Sequence, residues 1–181
     1  LAHDEFLGKG TVTVSHIECD SPSLCAVPDR AYVHLDRRLT RGEDAEIAVN
    51  EVKDAVKRAG VDADVEILRY SVPSYTGMLY ETEKYYPTWI LDEDHPVLAA
   101  AEETFEDLFQ EPPRVDKWTF STNGIATMGM KGIPTVGFGP ANEIYAHSVD
   151  DQVPVDDLVH CAAFYALFPK RYCARMGGND E

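Results

Sequence analysis

Basic residues are scarce in this sequence. Sixteen lysines and arginines stand against 32 aspartates and glutamates, a net charge of −16. A surface of that sign repels phosphate backbones and anionic lipid, so neither nucleic acid nor a membrane is expected as a partner. Most of the carboxylates read as a solvated face, and the excess also suits a protein adapted to high salt. Long hydrophobic runs are missing too: none approaches the ~18–20 residues of a membrane span. The four cysteines, Cys19, Cys25, Cys161 and Cys173, form no C-x-x-C pair. Scattered thiols of this kind predict a reduced, cytoplasmic protein. An initiating methionine is also absent. The chain opens with Leu1 and reaches the alternating stretch "GKGTVTVSHI" within its first ten residues, so it is expected to be the later part of a longer protein.

What is present is globular, with 44% hydrophobic residues in 181, enough for one good core or two small domains. Val12 and Val14, alternating with Thr11 and Thr13, predict a strand over 10–19. A second strand is predicted over 30–39, with Tyr32, His34 and Asp36 on its wetter face. Ile47, Val49, Val52 and Val56 are spaced for a helix that Gly60 stops. "DADVEILRY" predicts a third strand, and the aromatic, proline-broken segment 71–97 an interdomain crossing or a binding loop. Pro96 and Pro112-Pro113 bound a second helix, with Val97, Leu98, Phe105 and Leu108 spaced for burial. "KWTFSTNGIATMGMKGIPTVGFGP" predicts a strand, a turn, a short helical piece and a buried strand ending at Gly137–Pro140. A last helix starts near Asp156 and Asp157 and turns Leu158, Cys161, Phe164, Tyr165 and Phe168 inward.

Each polar motif has two readings. The backbone N–H groups and hydroxyls of "STNG", 121–124, suit an anion such as a carboxylate. A helix-capping turn uses the same residues and is the commoner reason for them. Arg37 and Arg38 are neighbours on a strand, so at most one points into a given cleft, and a surface ion pair explains either. "GFGP" lacks the spacing and lysine of a phosphate loop. Neither Cys25 nor Ser121 has an assigned base and orienting acid, which leaves a nucleophile triad unsupported. His147 alone is more often a hydrogen-bonded loop residue than a metal ligand.

In order, however, four segments resemble one family: "GKGTVTVSHI", "CAVPDRAYVHLDRRLTRGE", "STNGIATMGMKGIPTVGFGP" and "AHSVDDQVPVDDL". They look like the C-terminal half of the metal-dependent amidohydrolases that include aminoacylase, carboxypeptidase G, acetylornithine deacetylase and succinyl-diaminopimelate desuccinylase. "KWTFSTNG", "CAVPD" and "DRRLTRGE" are most similar to the selenium-metabolism-linked hydrolases within that family.

The resemblance implies an α/β fold: residues 1–72 as an incomplete, ferredoxin-like lid or dimerisation domain, and 73–181 as the C-terminal part of a zinc-peptidase-like catalytic domain. It makes His147 a metal ligand, with Asp151 orienting its imidazole. Arg38, Ser121, Thr122, Asn123 and Gly124 become the binders of a substrate carboxylate. Cys25 stands where many members have a substrate-contacting asparagine, which puts that contact in doubt. The cation implied is zinc, with cobalt or manganese suited by the same ligands. The other metal ligands and the general base match nothing in this chain, so the chain alone is expected to be inactive. The substrate implied is a small carboxylate bearing an amide or related C–N bond, and the partner a second copy held through the lid. The competing reading is a dimerisation or small-acid-binding module without metal, which has no need of His147.

Overall fold

A short hairpin, β1 (His3–Asp4) and β2 (Gly8–Lys9), opens the chain in the computed structural model, which describes residues 1–118 and 120–177. It leads into a long antiparallel ribbon of β3 (Thr11–Asp20) and β4 (Arg30–Arg38). The register runs from Thr11 opposite Arg38 to Asp20 opposite Arg30, with a bulge at Ser15 between Val14 and His16. Both strands were expected from their alternation. Their exposure was not: Val12, Val14, Ile17, Tyr32 and Val33 all lie open to solvent.

α1 (Ala45–Ala59) follows, stopped at Gly60 as the sequence predicts. The Asp44 carboxylate accepts the Ile47 N–H at 2.8 Å, and Gly60 takes the left-handed conformation at φ 67°, donating its N–H to the Lys57 carbonyl. No residue of α1 is fully buried. The strand expected over 62–70 forms only as β5 (Arg69–Tyr70), paired with β6 (Thr82–Glu83). A strand exists through its ladder, and among the described residues 62–68 have no partner strand.

These elements belong to the first of two compact units, Leu1–Thr88; the second is Trp89–Glu181. The first unit is organised around a polar knot. The side chain of Glu43 is 2% exposed and that of Arg37 11%, with Arg37 Nη2 donating to Glu43 Oε1 at 2.5 Å and to Glu51 Oε2 at 3.1 Å. Glu43 also accepts the N–H groups of Ala2 and Thr40, both at 2.9 Å. Only glycine fits at position 10, because a Cβ there would stand 2.4 Å from Glu43 Oε2 and 2.7 Å from Arg37 Nη1.

The second unit pairs α2 (Pro96–Phe109) with α3 (Val155–Met176). His95 caps α2, its Nδ1 accepting the Val97 N–H at 3.1 Å, and Pro96 occupies the first turn, where its missing N–H costs nothing. The apolar core consists of Val97, Leu98, Ala100, Ala101, Cys161 and Phe164. Phe138 stacks on Phe164 at 4.2 Å between ring centroids and meets Phe105 edge-on at 5.9 Å. Full burial of a ring, as at Phe164, contributes about 1.5–3 kcal/mol by leaving water, and the half-buried Phe105 and Phe138 contribute less. Asp107 with Arg171 and Glu103 with Arg175 cross-link the two helices. Of the inner face expected for α3, Cys161 and Phe164 are buried, whereas Leu158 and Tyr165 are each 51% exposed.

Two further expectations fail here. The buried strand expected before Gly137 does not form, and residues 133–139 run without regular structure. The strand expected at 117–120 is likewise absent among its described residues; Thr119 lies outside them. Both stretches have strand composition but no neighbouring ladder among the described residues, and composition alone does not satisfy a backbone N–H or C=O.

Candidate functional site

Ser121 to Gly124 form the turn that enters a π-type helical turn, Ile125–Met130. Ser121, Thr122 and Asn123 are exposed, and Gly124 is buried. The turn is held by its own backbone: Ile125 donates to the Thr122 carbonyl at 3.1 Å, and Ala126 to that of Asn123 at 3.0 Å. The Gly124 N–H goes to Thr122 Oγ1 at 3.1 Å. That oxygen is then an acceptor already in use, and the hydroxyl proton is left to donate outward.

His147 lies in a loop shaped by several local bonds. Asn142 Oδ1 accepts the Ile144 N–H at 3.1 Å and starts a 3₁₀ turn, Glu143–Tyr145. The Asp157 carboxylate, in the first turn of α3, accepts the Ala141 N–H at 3.0 Å and ties the loop to that helix. His147 itself has φ 61°, a left-handed value uncommon outside glycine. Ser148 then closes the bend, its hydroxyl donating to the Tyr145 carbonyl at 2.7 Å. The imidazole is exposed, and its ring stands against Phe120 with centroids 5.2 Å apart at 72°. Neither ring nitrogen makes a hydrogen bond among the described residues.

One imidazole therefore sits against Phe120, the residue just before the 121–124 turn. Asp151 does not join it: its carboxylate is exposed and makes no bond to the ring. Among the described residues, no three His, Cys, Asp or Glu side chains come close enough to share a metal ion. His147 suits a cation as a single ligand, with accessible nitrogens, but a zinc centre needs about three protein ligands. The described residues do not make a metal centre by themselves. Cys161 offers no nucleophile either, since burial, with the Asp157 carboxylate nearby, pushes its thiol pKa up. A cavity of about 390 Å³ lined by Ala141, Asn142, Tyr145, Gln152, Pro154 and Asp157 includes neither His147 nor the turn.

In the first unit the two arginines divide as strand alternation requires. Arg37 is committed to the buried knot. Arg38 is exposed and grips Asp36 with two nitrogens, Nε to Oδ1 at 2.9 Å and Nη2 to Oδ2 at 3.1 Å. The fork of Arg38 is thus geometrically ready for a carboxylate and already holds one of the protein's own.

The sequence pattern of peptidase family M20/M25/M40 matches residues 8–171. The chain belongs to that family. The uncharacterized protein YgeY of Escherichia coli (strain K12) is 49% identical over 176 residues, 96% of this chain and 43% of its own length. The N-formyl-4-amino-5-aminomethyl-2-methylpyrimidine deformylase of Bacillus subtilis (strain 168) is 28% identical over 129 residues, 69% of this chain and 30% of that enzyme. Among solved structures, the M20 family metallo-carboxypeptidase Sso-CP2 from Sulfolobus solfataricus superposes with a TM-score of 0.59 at 20% identity. That match covers 91% of this chain and 36% of the carboxypeptidase, and it places the M20 chain in the α/β class. The chain spans less than half the length of each of these relatives.

Two residues of the site were not singled out from the sequence: Phe120, which contacts His147 and lies within "KWTFSTNG", and Trp89, which covers Gly124 and lies in the aromatic segment 71–97.

Proposed function

We propose that this chain is part of a metal-dependent hydrolase that cleaves an amide or related C–N bond in a small substrate bearing a carboxylate. The observation that carries the reading is the contact of an accessible His147 imidazole with Phe120, the residue just before the 121–124 turn, in a chain of the M20 family. The family's enzymes depend on a metal, and the names of two relatives describe a deformylase and a carboxypeptidase. In this reading His147 donates one nitrogen to a divalent cation, zinc being the expected ion, and the remaining ligands come from outside the described residues. Such a cation polarises a carbonyl and lowers the pKa of water to about 7.

The chain's own residues bind and orient. Arg38 offers a two-nitrogen fork to a carboxylate once Asp36 is displaced, a surface exchange worth about 0–1 kcal/mol. Thr122 donates its free hydroxyl proton, with Ser121, Asn123 and Gly124 completing the turn. Residues 1–72 act as the lid, pairing with a second copy of the chain, and 73–181 as part of the catalytic domain. The reading also groups the chain with the selenium-metabolism-linked hydrolases, on the segments "KWTFSTNG", "CAVPD" and "DRRLTRGE".

The test uses the intact gene product. Zinc or cobalt content and affinity are measured for it and for His147→Ala, with hydrolysis of N-acyl amino acids against N-acyl amines that lack the carboxylate. A lower metal affinity in the variant and selective cleavage of the carboxylate series are expected. Unchanged metal binding in His147→Ala overturns the ligand assignment. Absence of any metal-dependent hydrolysis favours the binding-module reading instead.

A further inference from the structure

Gly124 is buried beneath an aromatic ring. A Cβ built on it would lie 2.2 Å from Cζ2 and 2.6 Å from Cε2 of Trp89, closer than any real Cβ contact. The same Cβ would stand 3.0 Å from Thr122 Oγ1. The indole therefore rests directly on the glycine backbone, and that backbone donates its N–H to the Thr122 hydroxyl. Three groups form one chain of contact: the Trp89 ring sets where Gly124 lies, Gly124 fixes the Thr122 oxygen, and the fixed oxygen aims its remaining proton. Trp89 comes from 35 positions earlier in the sequence, so it buttresses the turn from outside.

We propose that Trp89 is a positioning residue for carboxylate binding at Thr122, acting through the face of Gly124 and not through any bond to the ligand. The proposal rests on the reading of 121–124 as a carboxylate-binding turn. It adds that the turn's hydroxyl is aimed by the indole, so changes at a residue that need not touch ligand alter affinity for the charged group. A hydroxyl free to rotate loses part of its directed hydrogen bond, whereas contacts to the uncharged remainder of a ligand stay as they were.

The experiment compares butyrate with its neutral isostere butyramide, titrated calorimetrically into the intact gene product carrying its metal. Thr122→Val, Trp89→Ala, Trp89→Phe, Gly124→Ala and the double variant Trp89→Ala/Gly124→Ala are measured beside it, each with metal content and thermal midpoint. Misplacing a positioning group by about an ångström costs up to about a hundredfold, and Trp89→Ala and Gly124→Ala are each expected to weaken butyrate about tenfold. Butyramide affinity and metal content should not change. Trp89→Phe, which keeps a ring, should recover most of the loss. The double variant should bind butyrate better than Gly124→Ala alone, because removing the indole makes room for the new methyl group. If Thr122→Val weakens butyrate but neither Trp89→Ala nor Gly124→Ala does, the role of the indole is refuted and the carboxylate turn stands. If Thr122→Val leaves butyrate unchanged, the carboxylate turn itself is refuted, and the proposal with it. Equal losses for butyrate and butyramide in Trp89→Ala mark a general packing role and also overturn the proposal.

Discussion

The rings of Phe120 and His147 stand nearly perpendicular with centroids 5.2 Å apart, so one aromatic contact joins the candidate ligand to the start of the candidate substrate turn. His147 holds a left-handed backbone, and its ring nitrogens make no hydrogen bond among the described residues. Phe120 is, among the described residues, the aromatic side chain in contact with that ring. Phe120→Ala is expected to lower cobalt or zinc affinity of the intact gene product about tenfold, the low end of what loss of a ligand-orienting neighbour costs. Phe120→Tyr should hold it near the parent value. Equal affinity in Phe120→Ala would show that the contact does not orient the ligand.

Arg37 and Arg38 should part company under mutation. Arg37 is buried with Glu43 and Glu51, and its replacement by alanine leaves a buried carboxylate unpaired, a loss of about 3–5 kcal/mol. Arg38 faces solvent, so Arg38→Ala is expected to cost under about 1 kcal/mol. It should instead weaken binding of carboxylates. Urea denaturation of the two variants, with butyrate titration of Arg38→Ala, measures both.

The same knot predicts an acid limb in stability. Burial alone raises the Glu43 pKa, but the hydrogen bond and charge of Arg37 and the N–H groups of Ala2 and Thr40 outweigh it and bring the pKa from 4.5 down to about 2. A carboxylate whose folded pKa lies below its unfolded one stabilises fully above the unfolded value. The stabilisation is lost as pH falls from about 4.5 towards 2. The full effect is about 3 kcal/mol. Denaturation midpoints between pH 6 and pH 2.5 should fall steeply for the parent chain. They should fall less steeply for Glu43→Gln, which is already destabilised at neutral pH.

Both ends of α1 are testable with single substitutions. Asp44→Ala removes the acceptor of the Ile47 N–H and should cost about 1 kcal/mol. Gly60→Ala places a Cβ at a φ of 67° and should cost about 1–2 kcal/mol. Helix content by circular dichroism through a thermal melt reads both, and an unchanged melt would show that α1 does not depend on these caps.

The helices were legible because their signals are local. Asp44, Gly60, Pro96 and the Asp156–Asp157 pair mark ends that a chain recognises within one turn. The β3–β4 ribbon was legible for the same reason, since its alternation is contained in each strand. Residues 62–68 and 133–138 misled because a strand also needs a partner, and pairing is not written in the strand's own composition. At the site, His147 and 121–124 stood out through the motifs that carry the family resemblance. The contacts of Phe120 with His147 and of Trp89 with Gly124 were not legible, because contacts across 27 and 35 positions leave no periodic trace. Arg37 and Arg38 were separable in principle by alternation, but which of them turns inward depended on the buried Glu43, and no local pattern marks that acid as buried.

The chain has two tryptophans, Trp89 and Trp118, and both lie in the second unit, the first over Gly124 and the second against Gly137. Intrinsic indole emission is consequently a one-sided gauge. It registers melting around α2 and α3, while the ribbon, whose only tyrosine or phenylalanine is Tyr32, and α1, which has neither, stay dark at that wavelength. Unfolding curves that disagree between emission and far-ultraviolet ellipticity would thus separate the fates of the two halves without a single added label.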